Sequence, residues 1–210
     1  MTARIDHLVT SGTFTLDGGS WDVDNNVWIL GNDDECVVID AAHDGDAILS
    51  AVGDRTLKAV FLSHGHDDHI DAVGDLVEGQ PELRIYLHPD DRMLWDRIYP
   101  DDAPDLELAD GQVLQAAGTD VHVLHTPGHS PGACCFYVPE LGTLFSGDTL
   151  FSGGPGATDK SFSDFDTIIE SIRGKLAGLP PGTVVRTGHG DATTIGDEVG
   201  HLDEWVARGY

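Results

Sequence analysis

The segment Ser63-His64-Gly65-His66-Asp67-Asp68-His69 carries three imidazoles and two carboxylates in a row of seven residues. It follows the apolar run 59–62, which is typical of a buried strand, and precedes a helical stretch. Imidazoles this close repel one another when protonated, and they gain most free energy when they share a cation. The segment therefore predicts a metal site on a strand-to-helix loop rather than a solvated polar loop.

Three more candidate ligands lie in loops of similar composition. His129 lies in the loop 126–132 between two strands, Asp148 lies at a strand end, and His189 comes just after an apolar strand. Each has a glycine as a direct neighbour, and glycine permits the backbone turns that aim a side chain into a shared cleft. A lone histidine in a loop is usually an ordinary surface residue. Together with the first segment, however, the three favour one common site.

In these motifs the chain resembles the metallo-β-lactamase superfamily, and within it the glyoxalase-II-like hydrolases. The order and spacing of seven side chains carry the resemblance: His64, His66, Asp68, His69, His129, Asp148 and His189. Segments 11–14 and 153–157 also resemble short actinobacterial members. The resemblance implies a mixed α/β (α+β) fold, a four-layer αββα sandwich of the metallo-β-lactamase type, in a single domain over residues 1–210.

The resemblance also implies two divalent metal ions. It assigns the ligands as follows: His64, His66 and His129 to the first ion, Asp68, His69 and His189 to the second, and Asp148 to both. Zinc is favoured, but oxygen ligation by Asp148 would also accept iron or manganese. Asp40, at the end of a buried strand, is expected to lie beside the cluster and support its ligands.

The activity implied by the resemblance is hydrolysis of the thioester of a small thiol by attack of a metal-bound hydroxide. Asp68 is the expected catalytic residue, which orients the hydroxide and accepts its proton. The chain after His189 is too short for the helical extension of the glutathione-specific relatives. A sugar thiol such as mycothiol is therefore expected in place of glutathione.

Three alternatives stay open. One is a mononuclear iron persulfide dioxygenase, which keeps much of the same motif, and another is a lactonase. A non-enzymatic metal-binding protein would be favoured by a broken ligand set, whereas all seven positions hold ligand residues here.

The charge restricts the partners. Eleven Lys and Arg against 37 Asp and Glu give a net charge of −26, which repels nucleic-acid phosphates and anionic membranes. We find no apolar run of about 18 residues and no signal peptide at the start of the sequence. The sequence thus predicts a cytoplasmic protein with a small-molecule substrate and neither a nucleic-acid nor a membrane partner.

The remaining polar residues receive structural interpretations. Asp67 is expected to be a solvated residue at a helix start, and Asp90 a helix cap. Cys134 and Cys135 should point to opposite faces of one strand, and at least one of them is expected to be buried and reduced rather than part of a redox pair. Six histidines are expected to have no functional role: His7, His43, His88, His122, His125 and His201.

Overall fold

Two six-stranded sheets dominate the computed structural model, which describes residues 3–78 and 80–209. The first sheet contains, in spatial order, β1 (Arg4–Leu16), β2 (Gly19–Gly31), β3 (Glu35–Ile39), β4 (Thr56–Phe61), β5 (Arg84–Leu87) and β6 (Leu106–Glu107). The later strands are β7 (Val113–Ala116), β8 (Thr119–His125), β9 (Cys134–Val138), β10 (Thr143–Gly147), β11 (Leu150–Phe151), β12 (Gly154–Pro155), β13 (Val184–Thr187) and β14 (Thr193–Thr194). The second sheet has the order β14-β13-β10-β9-β8-β7, and β11 pairs with β12 in a small ribbon.

The helices are short. They are α1 (Gly45–Val52), α2 (Asp67–Ile70), α3 (Val73–Val77), α4 (Arg92–Trp95), α5 (Phe165–Ser171), α6 (Ile195–Glu198) and α7 (Leu202–Arg208). A π-helical turn (Ile172–Leu176) continues α5, and 3-10 turns cover Pro89–Asp91, Pro139–Leu141 and Val199–His201. None of the helices in the described ranges is both long and apolar enough to cross a membrane.

The alternation of side chains along the strands produces four layers. In β2, Val27 and Ile29 pack with residues of α1 to α3, whereas Trp28 and Leu30 pack between the two sheets. In the second sheet, Phe145 of β10 faces the first sheet, and Leu144 packs against α5 and α7. Successive side chains of a strand point to opposite faces, so each sheet buries one face on the other sheet and one on helices. The predicted αββα sandwich is confirmed.

The sequence also predicts a hairpin of the strands 133–138 and 142–145 around Pro139-Glu140-Leu141, and β9 and β10 form it. Its strands pair from Thr143↔Val138 to Phe145↔Phe136 around the 139–141 turn. Cys134 packs between the sheets and Cys135 packs under α5, and both are buried free thiols. The two cysteines thus point to opposite faces, as predicted.

The first hairpin is much longer than its sequence indicates. The apolar pattern predicts a strand only over 26–30, but β2 begins at Gly19 and pairs with β1 along its whole length. The strands are joined by Asp17 and Gly18 with φ of 54° and 79°, the two left-handed residues of a type I′ turn. In the distal half of the hairpin one face is exposed and the other is only partly buried, so the few apolar residues there do not form a run like that of 26–30.

Loops from both sheets meet at one end of the sandwich. The backbone N–H of Cys134 donates to the carbonyl of Ser63 (2.7 Å), which joins the end of β4 to β9. The N–H of Asn26 donates to the carbonyl of Gly188 (2.7 Å), which joins β2 to the loop after β13. The N–H of Gly188 also donates to the carbonyl of Gly147 (2.8 Å) at the end of β10. These bonds bring the middle of β2 and the loops after β4, β8, β10 and β13 to one edge.

Candidate metal centre

All seven predicted ligands come together at this edge, in buried or half-buried positions. Four lie between β4 and the end of α2, and the others follow β8, β10 and β13. His69 is fully buried, and His189 keeps the most exposed side chain, at 25%. The site is therefore a deep cluster that opens on the His189 side.

Three histidines form the first group of ligands. His66 Nδ1 lies 3.0 Å from His64 Nε2 and 3.0 Å from His129 Nε2. A ring nitrogen that faces two others cannot satisfy both with a single proton, whereas a shared cation satisfies all three lone pairs.

Asp68, His69 and His189 form the second group. His189 Nε2 lies 3.3 Å from both Asp68 Oδ2 and His69 Nε2. The distance between His69 Nε2 and Asp68 Oδ2 is 3.5 Å. Asp148 lies between the two groups. Its Oδ2 is 3.6 Å from His129 Nε2 and 3.4 Å from His189 Nε2, and its buried Oδ1 has no hydrogen-bond partner among the described residues.

The donor set fits two divalent metal ions. Ligand atoms at about 2.0–2.2 Å from one tetrahedral ion lie about 3.3–3.6 Å from one another. The donor atoms of both groups lie 3.0–3.6 Å apart, and the unpartnered Asp148 oxygen points among them. Imidazole and carboxylate donors suit zinc, iron and manganese alike.

The two groups differ in what sets the pKa values of their side chains, and in the first group the largest effect is burial. Burial and the neighbouring histidines hold the pKa of His64 well below its usual range. Burial and the nearby His129 likewise lower the pKa of His66 to about 3. These two rings are therefore neutral and keep a lone pair for a cation.

In the second group, attraction between opposite charges outweighs burial. Burial alone would raise the pKa of Asp68, but His69 and His189 hold it at about 2. Burial would lower the pKa of His189, but the carboxylates of Asp148 and Asp68 raise it to about 10. The pKa of His69 is raised by the same two carboxylates and by Asp40, against the effect of burial. The side chains of this group thus form a network of buried ion pairs.

Asp40 lies beside the second group of candidate ligands, in contact with His69. Its carboxylate accepts from the backbone N–H and the hydroxyl of Ser63, both at 2.7 Å, and lies 3.0 Å from His69 Nδ1. This contact leaves His69 Nε2 facing the other ligands. A carboxylate on the far nitrogen of a histidine is the common way to orient a metal-binding ring.

Asp91 supports the first group and was missed in the sequence. Its buried carboxylate accepts from the N–H of Gly65 (2.8 Å), the hydroxyl of Ser130 (2.6 Å) and the N–H of Gly132 (2.6 Å). It therefore joins the loop of His64 and His66 to the loop of His129. Burial raises the pKa of Asp91.

The predicted cap at Asp90 is wrong. His88 is the N-cap of the 3-10 turn Pro89–Asp91, and Asp90 lies inside this turn with an exposed side chain. Asp91 precedes α4, and its side chain makes no cap bond because it binds the two ligand loops instead.

Asp67 is likewise more than a solvated helix-start residue. Its carboxylate accepts from the N–H of Thr15 (3.0 Å) and from the Thr15 hydroxyl, 52 residues earlier in the chain. This contact holds the tip of the β1–β2 hairpin beside the ligands. The Phe14 ring of the same tip lies 5.1 Å from the His66 ring, centroid to centroid.

Gly147 makes the approach of Asp148 possible. It has a φ of 47°, and a Cβ there would lie 2.4 Å from the Ser63 hydroxyl oxygen. No other residue type fits that position without moving the first ligand loop.

The remaining histidines divide into three sets. His88 and His125 stack on each other at 3.9 Å and form a separate group of possible ligands with Asp90. The His122 ring lies against Tyr137, and His201 contacts the Glu204 carboxylate. His7 and His43, which were predicted to have no role, contact asparagines that reach the second group of ligands.

Two cavities flank the cluster. A narrow one of about 140 Å³ beside His66 is lined by Thr15, Leu16 and Arg97, among others. A wider cleft of about 570 Å³ lies on the opening side. Its lining includes Ala157, whose carbonyl lies 2.9 Å from His129 Nδ1, and Phe151, whose ring lies 6.3 Å from that of His189.

Comparisons with known proteins agree with this geometry. A sequence profile of the metallo-beta-lactamase superfamily matches residues 21–189. The chain is 34% identical over 185 residues to the probable metallo-hydrolase YqgX of Bacillus subtilis, which covers 81% of this chain and 87% of that protein. It is 33% identical over 183 residues to the hydroxyacylglutathione hydrolase GloC of Haemophilus influenzae, with 79% and 86% covered. The crystal structure of TTHA1623 in a di-iron-bound form matches with a TM-score of 0.72 and 35% identity, over 84% of this chain and 92% of that one.

Proposed function

The chain belongs to the metallo-β-lactamase superfamily and is a metal-dependent hydrolase, and we propose that it hydrolyses the thioester of a small, uncharged thiol. The observation that carries the proposal is the convergence of seven side chains able to hold metal ions beside an open cleft. A likeness to a hydroxyacylglutathione hydrolase supports thioester chemistry.

The proposed cofactors are two zinc ions. The first is assigned to His64, His66 and His129, the second to Asp68, His69 and His189, and Asp148 is assigned to both. Bound there, such ions polarise a carbonyl group and lower the pKa of water.

Asp68 is the proposed catalytic residue. With a pKa of about 2 its carboxylate is ionised at neutral pH, and Oδ2 faces the second group of ligands. It can therefore accept a hydrogen bond from the attacking water, orient it toward the thioester carbonyl and take up its proton. The leaving thiol has a pKa of about 8.5 and departs as a thiolate, so the reaction needs no separate acid.

The wider cleft favours an uncharged thiol. It is lined mainly by glycines and apolar side chains, including Phe151, Ala157 and Phe165, and Arg208 is the cation of its lining. Asp159 lies in the same lining, and the whole chain carries a net charge of −26. Glutathione would bring two carboxylates, which need cationic partners to offset their desolvation. A hydroxyl-rich sugar thiol avoids that cost.

The test compares kcat/KM for S-lactoylglutathione with kcat/KM for an acylated mycothiol or its truncated sugar-thiol analogue, at low and high salt. We expect the sugar thioester to be preferred, most clearly at low salt, where repulsion of the glutathione carboxylates is least screened. A glutathione thioester hydrolysed at least as well at low salt contradicts the proposal.

A matched pair of variants tests whether the thiol part of the substrate binds in the wider cleft. Arg208→Gln removes the cation of the cleft, and Arg84→Gln, whose side chain binds the Pro81 and Leu83 carbonyls, serves as the control. For an uncharged thiol we expect both variants to keep the parent KM. A KM for the glutathione thioester that rises only in Arg208→Gln would identify this cleft as a carboxylate site. Metal analysis of the active protein separates zinc from iron or manganese.

A further inference from the structure

We propose that Asn25 and Asn26 are positioning residues for the second group of ligands, and that each is held in place by a histidine. Asn25 orients the Asp68 carboxylate, and Asn26 orients the loop that carries His189. The inference rests on the metal assignment of the proposed function but not on its substrate.

Asn25 contacts Asp68 directly. Its fully buried side-chain amide donates from Nδ2 to the Asp68 carbonyl (2.9 Å) and to Asp68 Oδ2 (3.1 Å). Both of these oxygens are acceptors, so the NH₂ end of Asn25 must face Asp68. This pair of bonds fixes both the main chain and the carboxylate of one metal-ligating residue.

His43 in turn fixes Asn25. Its Nε2 lies 2.9 Å from Asn25 Oδ1, which can only accept, so Nε2 carries the proton of that bond. The carboxylate of Asp71 accepts from the His43 backbone N–H at 2.6 Å and lies 3.0 Å from His43 Nδ1. The ring packs against Gly12, where a Cβ would lie 2.2 Å from Nδ1. An unbroken series of contacts thus runs from Asp71 to Asp68.

Asn26 makes the corresponding contacts on the other side of the strand. Its Nδ2 donates to the carbonyls of Thr187 (3.1 Å) and Gly190 (2.9 Å), which bracket His189. Its Oδ1 lies 2.8 Å from Nε2 of His7. The His189 ring itself is fixed through Nδ1, which lies 2.8 Å from the carbonyl of Asp24.

The geometry of β2 explains how two neighbours serve two ligands. Successive side chains of a strand point to opposite faces, so Asn25 and Asn26 reach in different directions from one backbone. Asp68 follows a strand of the first sheet, and His189 lies in a loop of the second sheet. The segment 24–26 therefore sets the spacing of Asp68 and His189 to each other.

The experiment measures zinc binding to the full chain, so it needs no substrate. Competition with a chromophoric chelator gives a dissociation constant for each ion, and His189→Ala identifies which ion belongs to the second group. We compare Asn25→Ala and Asn26→Ala with Asn32→Ala. Asn32 is the control because its side chain also makes two hydrogen bonds, here as the acceptor from the N–H groups of Asp34 and Glu35, just after the end of β2.

We expect Asn25→Ala to weaken the second ion by about 10- to 100-fold and to leave the first unchanged, because groups that orient a ligand contribute about that much to metal affinity. Asn26→Ala should weaken the same ion, and Asn32→Ala should weaken neither. A purely structural role would lower the unfolding temperature in excess chelator and weaken both ions equally, and that result would overturn the inference.

His43 provides an independent variant that leaves both asparagines in place. His43→Ala should weaken the second ion, and His43→Gln, which keeps an amide donor for Asn25 Oδ1, should restore part of the affinity. Equal affinity in His43→Ala and the parent chain would contradict the contact series. A parent chain that binds only one ion would overturn the inference and the ligand assignment together, whereas loss of thioester activity alone would leave the inference standing.

Discussion

The two groups of ligands are built from similar residues, but they present different environments to a cation. In the first group, burial keeps His64 and His66 neutral, and Asp91 holds their loop to that of His129. In the second, His69 and His189 hold protons against neighbouring carboxylates. A cation enters the first group with little competition, whereas in the second it must displace protons. Ions held by the two groups would thus differ in affinity and in response to pH.

The largest effect is expected at the second group, from Asp68→Ala. We expect kcat to fall by about 100-fold or more with a smaller change in KM, because Asp68 acts on the attacking water rather than on the acyl group. Steady-state kinetics with metal analysis measures this. Asp54→Ala is the control, because Asp54 is an exposed aspartate in the turn after α1, away from the candidate ligands. Unchanged turnover with both ions retained would remove Asp68 from the mechanism.

Removing the Asp91 carboxylate, which supports the first group, should lower the stability of the fold rather than turnover. Asp91→Ala leaves the donors of Gly65, Ser130 and Gly132 without a buried acceptor, so we expect the free energy of unfolding to fall by about 2 kcal/mol. Urea unfolding in excess chelator measures it. The neighbouring Asp90→Ala should change it by less than about 0.5 kcal/mol, since Asp90 is exposed. Similar losses in the two variants would show that Asp91 does not hold the loops together.

A pH titration should separate the two groups without any substitution. The pKa of His189 is raised to about 10 and that of His69 is also raised, so between pH 8 and pH 5 a cation must displace their protons. Its affinity for the second group should therefore fall by about tenfold for each proton displaced and each pH unit lowered. The pKa of His66 is lowered to about 3 and that of His64 is also lowered, so the first group should respond less. Calorimetry at several pH values checks this, and parallel loss of both ions would contradict it.

Four of the seven candidate ligands could be predicted from the sequence alone because their signal is local, whereas His129, Asp148 and His189 needed the family resemblance. Three histidines and an aspartate between an apolar strand and a helix indicate a cluster before any fold is known. The four layers were implied by the resemblance, and the continuous apolar runs of β2 and β10 agree with them, because a strand that is apolar on both sides needs two covered faces.

The residues that support the ligands could not be predicted, because their roles depend on contacts between distant parts of the chain. Asp91 binds Gly132 41 residues away, and Asn25 binds Asp68 43 residues away. A single aspartate or asparagine in a polar stretch looks the same whether it contacts solvent or a buried N–H. The distal part of the first hairpin was missed for a different reason: its outer face is exposed and its other face is only partly buried, so its apolar signal is weak.

The origin of the ligands in both sheets has a consequence for the lifetime of the folded chain. Four ligands belong to the first sheet and its helices, and the other three follow strands of the second. An ion bound by His64 of the first half and by His129 and Asp148 of the second would act as a reversible cross-link between the two halves of the polypeptide. Neither half could then open without releasing an ion, so resistance to proteolysis should increase with the logarithm of free zinc. In a cell poor in zinc, this chain would be degraded faster without any change in its synthesis.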